Sequence, residues 1–213
     1  MELLKFLSYR IFLTIGLFLL VISISQAQNF EKLSEKFVKS YTYETEGEYT
    51  KAIDALKEVY NENMDVYEIN LRLGWLTYSS GSFTESLAYY QKALSLKPMS
   101  IEARIGYIYP ASALGNWEQV KNQYLEILKI DPQNTLANYR LGYLYYGMED
   151  YQMAKKYLDK VVNLYPFDYD SIILLAWTNL KLGKLREAKI LFQNALLYNP
   201  GDESAEAGLE EIQ

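Results

Sequence analysis

Pro98, Pro132, Pro166 and Pro200 stand 34 residues apart, and the chain between them repeats in step. A fixed period of this length points to a stack of small units, none of which can bury its apolar face alone. Five units follow in unbroken register: 33–66, 67–100, 101–134, 135–168 and 169–202. Gly47, Gly81, Gly115 and Gly183 recur at one place. Two positions on comes a large apolar residue in every unit: Tyr49, Phe83, Trp117, Tyr151 and Leu185. Three further columns run Ala52, Ser86, Val120, Ala154, Ala188; then Leu56, Tyr90, Tyr124, Leu158, Phe192; then Val59, Ala93, Ile127, Val161, Ala195.

Within each half-unit the apolar residues fall at i, i+3/i+4 and i+7, a helical spacing. A mid-unit glycine suits the turn between two helices because it accepts positive φ. The proline ends the second helix, since it lacks an N–H and biases its predecessor away from the helical region. Each unit therefore reads as a helix–turn–helix hairpin.

The pattern resembles the tetratricopeptide repeat family. The matching residues are Leu73-Gly74…Ala93…Pro98, Leu141-Gly142…Tyr145…Ala154…Pro166, and Leu175-Ala176…Ala188…Phe192…Pro200. The resemblance implies an all-α fold, a right-handed α-superhelix (solenoid) of five hairpins. Gly74, Gly142 and Ala176 then permit close approach of neighbouring helices. Residues 203–213 predict a short capping helix with Leu209 and Ile212 inward and four glutamates outward.

The first 27 residues stand apart. Lys5 and Arg10 precede an uncharged run from Ile11 to Ser25, followed by Ser25-Gln26-Ala27. This predicts a cleaved secretory signal, with an uncleaved membrane anchor over residues 11–25 as the alternative. Residues 28–32 would join it to the array. The chain has no cysteine, which removes disulfides, thiol catalysis and thiolate metal sites. An exported chain without disulfides suits a bacterial periplasm. A net charge of −6 argues against nucleic acid and against adsorption to anionic lipid.

Nothing predicts catalysis, a metal or a cofactor. The chain lacks histidine, the commonest general base. Gly142 and Gly147 fall on a helix in the repeat frame, and the Glu149–Asp150 pair falls at an inter-helix turn.

A second column carries the functional expectation. Tyr41, Trp75, Tyr109, Tyr143 and Trp177 are all aromatic and again 34 apart. Their stripe also holds Leu71, Tyr139, Tyr78 and Tyr146, with Arg72 and Arg140 beside it. The resemblance places this stripe on the inner groove, where ligands of the family bind. Two readings stand: the rings finish the core between neighbouring helices, or they line an exposed groove. The family's carboxylate-clamp members use several Lys, Arg and Asn at these places, which here are largely aromatic or aliphatic. The expectation is a non-catalytic envelope scaffold that holds a peptide or helix by apolar anchors, with one acidic group for Arg72 or Arg140. Self-assembly of repeats and glycan binding are the alternatives. Pro110, inside the first helix of the third unit, predicts a bend that opens the array at its midpoint.

Overall fold

The structure, a computed structural model, describes residues 27–212, so the expected signal segment lies outside the described residues except for Ala27. Every regular element among them is a helix: α1 over residues 27–45, α2 Tyr49–Asn63, α3 Tyr67–Ser79, α4 Phe83–Leu96, α5 Ile101–Ala113, α6 Trp117–Ile130, α7 Thr135–Gly147, α8 Tyr151–Leu164, α9 Tyr169–Lys181, α10 Leu185–Tyr198 and α11 Glu203–Glu210. Residues 28–32 are helical and part of α1 rather than a connecting stretch. None of these helices is long and apolar enough to cross a membrane. The helices form two compact units, one ending at Lys97 and one beginning at Pro98.

All fifteen residues of the three apolar columns are buried. In the first unit Ala52, Ile53, Leu56 and Val59 of α2 meet Ile69, Leu73 and Leu76 of α3, with Leu33 and Phe37 of α1 against them. At the end of the second unit Ile172 and Ala176 of α9 meet Ala188, Phe192 and Ala195 of α10 and Ala205 of α11, and Leu209 and Ile212 pack on this cluster. The columns are thus the inner face of each hairpin. Small residues let the hairpins close. A Cβ at Gly74 would lie 3.0 Å from the Tyr90 ring, and one at Gly142 would lie 2.6 Å from Leu158 Cγ. Ser86 Oγ donates to the Gly74 carbonyl at 2.7 Å, a bond that only this close approach permits.

Both ends of the period have a fixed geometry. The four prolines each follow a residue that has left the helix: Lys97 (φ −130°, ψ 80°), Asp131 (−132°, 91°), Tyr165 (−130°, 78°) and Asn199 (−130°, 84°). This is the extended backbone that a following proline imposes. Each of these residues still donates its N–H to the carbonyl four residues back. Two residues past each proline stands a side chain that caps the next helix, Ser100, Asn134, Asp168 or Asp202, and each accepts the backbone N–H three residues on.

The mid-unit turns carry positive φ at Gly47, Gly81, Gly115 and Gly183. In the fourth repeat the same place is held by Glu149 at φ 61°, the one non-glycine residue with positive φ among the described residues. Its turn keeps the hydrogen bonds of the glycine turns. Asp150 N–H reaches the Tyr145 carbonyl at 2.9 Å, as Lys184 N–H reaches Asn179 at 2.8 Å.

α5 runs without a break from Ile101 to Ala113 through Pro110, which is buried. The helix is continuous at this proline. Only the N–H to residue 106 is missing, and Gly106 has no Cβ to crowd the ring.

Candidate functional site

The five aromatic rungs do not share one environment. Tyr41 (54 % exposed), Trp75 (40 %), Tyr109 (46 %) and Tyr143 (57 %) stand on the surface, so these rings are not core. Trp177 is half-buried. Its ring meets Phe192 edge-on at 5.1 Å and its Nε1 donates to Ser204 Oγ of α11 at 2.9 Å. The last rung therefore belongs to the packing of α11, where the core reading holds.

In the first unit the two rungs are tied down by their neighbours. Arg72 is buried, contrary to its expected place beside an open groove. Its Nη1 pairs with Glu44 at 2.6 Å, its Nε donates to Ser40 Oγ at 3.2 Å, and its guanidinium carbon lies 3.7 Å from the centre of the Tyr41 ring. Glu44 also accepts from Trp75 Nε1. One carboxylate thus neutralises the arginine and fixes the tryptophan. Arg72 is committed to the α1–α3 contact because a buried guanidinium needs a partner anion. Leu71 and Tyr78 are half-buried, and the Tyr78 ring lies 5.8 Å from that of Phe83.

The second unit differs. A pocket of about 330 Å³ opens between α5, α6 and α7. Ile105, Tyr109 and Ser112 line it from α5, Trp117 and Tyr124 from α6, and Leu136, Arg140 and Tyr143 from α7. Its origin is a missing ring. In the second repeat Tyr78 of the first helix covers Phe83 of the second, at 5.8 Å between centres. In the fourth repeat Tyr146 covers Tyr151 at 5.5 Å. In the third repeat the tyrosine's place is taken by Ser112, and Trp117 is left 53 % exposed. Ser112 lines the pocket at the place where the repeats on either side carry a tyrosine.

Arg140 stands exposed at the rim, with no ion pair among the described residues, and its guanidinium carbon is 5.7 Å from the Tyr139 ring centre. Burial pushes the Tyr124 hydroxyl up despite the nearby Arg140 charge. Burial also raises Tyr139, with Asp170 next in effect. Both phenols are therefore neutral hydrogen-bond donors at physiological pH. The arrangement suits one apolar side chain inside the pocket and one anionic group at its edge.

Of the residues expected at the site, Tyr109, Arg140 and Tyr143 come together here. Tyr139 is half-buried beside Arg140, and Tyr146 is engaged with Tyr151. Trp117 and Tyr124 of α6 belong to the pocket but not to the expected stripe, whereas Ser112 holds the stripe position of Tyr78 and Tyr146 without a ring. A larger cavity of about 530 Å³ lies between α1 and the α2–α3 corner, lined by Asn29, Phe30, Leu33, Ser34, Phe37, Asn63, Val66 and Glu68. It holds no member of the aromatic column.

The sequence profiles of the tetratricopeptide repeat match residues 38–100, 136–168 and 169–202. The chain belongs to the tetratricopeptide repeat family. TPR repeat-containing protein YpiA of Bacillus subtilis is 26 % identical over 167 residues, which is 78 % of this chain and 39 % of that protein. The chain spans between 13 % and 39 % of the length of the curated relatives it resembles. A tetratricopeptide repeat protein from Parabacteroides merdae superposes with a TM-score of 0.73 at 23 % identity, over 85 % of this chain and 72 % of that one. YrrB, described as a TPR protein with an unusual peptide-binding site, superposes with a TM-score of 0.62 at 21 % identity, over 76 % of this chain and 92 % of its own. These likenesses establish the fold, an α-solenoid.

Proposed function

We propose that the chain is a non-catalytic scaffold of the cell envelope that seats one apolar side chain of a partner protein in the α5–α7 pocket, with a partner carboxylate against Arg140. The observation that carries this is the pocket left where Ser112 replaces a tyrosine. It is walled by Tyr109, Trp117 and Tyr143 and has an unpaired cation at its rim. Exposed aromatic side chains around a preformed recess are what protein interfaces use as anchor sites. A volume of about 330 Å³ lies at the lower end of ordinary ligand pockets, roughly 300–1,000 Å³, and suits one or two side chains rather than a whole helix.

The envelope location rests on the N-terminal segment read as an export signal. N-terminal sequencing of chain recovered from the envelope fraction would find Gln28 first, and recovery of intact chain in the cytosol would refute export. The binding site is tested by Ser112→Tyr, which supplies the missing ring and fills the pocket without touching Arg140. The variant is expected to fold, to bury Trp117, and to lose the partners that the wild-type chain captures from the envelope fraction. Unchanged capture by a folded Ser112→Tyr chain overturns the assignment.

A further inference from the structure

The pocket has a neighbour of opposite charge. Leu136 lines the ring-walled pocket on one side and, on the other, a recess of about 240 Å³ that also holds Thr135, Tyr139, Val161, Asp168, Asp170 and Ser171. Asp168 and Asp170 are both exposed, and neither forms an ion pair among the described residues. One oxygen of Asp168 accepts the Ser171 N–H at 2.9 Å, which leaves the other available. Ser171 is fully buried, and its hydroxyl oxygen has no hydrogen-bond partner among the described residues. A buried serine on a helix ordinarily bonds to a carbonyl in the preceding turn, as Thr178 does to Leu174 at 2.6 Å. An orphan hydroxyl in a recess with two carboxylates that form no ion pair among the described residues calls for a donor from outside the chain.

We infer that this recess receives the side chain of a lysine or arginine from the same partner segment whose apolar residue enters the adjoining pocket. The inference rests on the pocket reading above and adds direction to it. Arg140 lines the ring-walled pocket and the Asp168–Asp170 pair lines the recess beyond Leu136, so a bound segment carries an acidic group for the one and a basic residue for the other. A segment laid the other way would face like charge at both ends, and like-charge juxtaposition is what separates wrong from right registers at interfaces. The chain's net charge of −6 further favours a segment with a basic end. Asp170 in the first turn of α9 also complements that helix's N-terminus. That role explains one carboxylate there but not the unpaired hydroxyl beneath it.

The test is selection of a displayed library of random short peptides on the full chain, run in parallel on wild type, Asp170→Asn, Asp170→Lys and Ser112→Tyr, each checked for helicity. Wild type is expected to enrich peptides that carry an apolar residue together with an acid and a Lys or Arg. Asp170→Asn should lower the basic preference about threefold to tenfold and keep the apolar and acidic ones, as losing one partly exposed charge pair predicts. Asp170→Lys should replace the basic preference by an acidic one. The inference is overturned if the wild-type peptides carry the apolar residue without a basic one, or if both Asp170 variants retain the basic preference. Failure of the pocket itself looks different: wild type then enriches no apolar residue, or Ser112→Tyr selects the same peptides as wild type. Asp170→Asn is close to isosteric and leaves the Asp168 cap in place, so the test stands even if Asp170→Lys fails to fold.

Discussion

Glu149 occupies a backbone conformation that the other four repeats give to glycine, and replacing it should stabilise the protein. A non-glycine residue in the left-handed region costs about 1–2 kcal/mol from the Cβ clash with the following carbonyl. Glycine carries its own penalty of roughly 0.5–1 kcal/mol, because its unfolded chain has more freedom to lose. The Glu149 carboxylate forms no ion pair among the described residues, so little else changes. Its turn already has the hydrogen bonds of the Gly183 turn, with Glu149 N–H on Tyr146 at 3.0 Å and Gly183 N–H on Leu180 at 2.9 Å. The difference leaves a net gain of about 0.5–1 kcal/mol for Glu149→Gly, or about 1–4 °C in Tm for a chain of this size. The reciprocal Gly183→Glu, at φ 70°, should lose a similar amount. Thermal unfolding followed by circular dichroism measures both, and hydrogen exchange at the α7–α8 turn shows whether the change is local. A loss of stability in Glu149→Gly, or no loss in Gly183→Glu, would refute the reasoning.

The two arginines that the period treats alike should behave differently. Arg72→Ala strands Glu44 and exposes the Tyr41 contact, an expected loss of about 3 kcal/mol, whereas Arg140→Ala should stay within about 0.5 kcal/mol. Urea unfolding of the two variants compares them, and equal effects would contradict the burial of Arg72. Asp202 caps α11 and accepts from the Tyr169 hydroxyl, and that bond chiefly holds its carboxyl below the ordinary 3.8. The Tyr169 hydroxyl is pushed up to about 12, mainly by burial. A carboxylate depressed in the folded state stabilises above its unfolded value and loses that contribution as pH falls through the folded one. Docking of α11 should therefore weaken as pH drops below about 4, while Asp202→Asn flattens that loss. Hydrogen exchange of α11 across an acid titration reads it, and an unchanged profile in Asp202→Asn would exclude this carboxylate as the cause.

Much of the fold was legible because a period reports what each position repeatedly needs. Small and apolar columns return in every unit, and the side chains at those places meet the same neighbours. The column Ser100, Asn134, Asp168, Asp202 lies on the same 34-residue step and marks the start of four helices. It interrupts no apolar pattern, so a search for burial does not see it. Pro110 shows the reverse case: proline is a helix breaker in general, but a glycine four residues earlier removes the clash that does the breaking, and α5 stays continuous.

The site was less legible, for a different reason. A column of five aromatics names positions and says nothing of their partners. Glu44 holds Trp75 and also Arg72, which lies against Tyr41, while Ser204 on α11 holds Trp177. Tyr109 and Tyr143 gain their importance from Ser112, a residue with no ring at all. A periodic reading rewards what recurs, and the pocket exists because one term of the series is absent.

The four proline junctions have a consequence for how such a chain can change in length. Their pre-proline dihedrals agree within a few degrees in φ, and each is followed by the same kind of capping residue. Cutting the chain at any one of them and rejoining it at another places compatible ends together. An in-frame duplication or deletion of one period would thus create no new loop to be solved by selection. The number of hairpins is a quantity that copying errors can adjust.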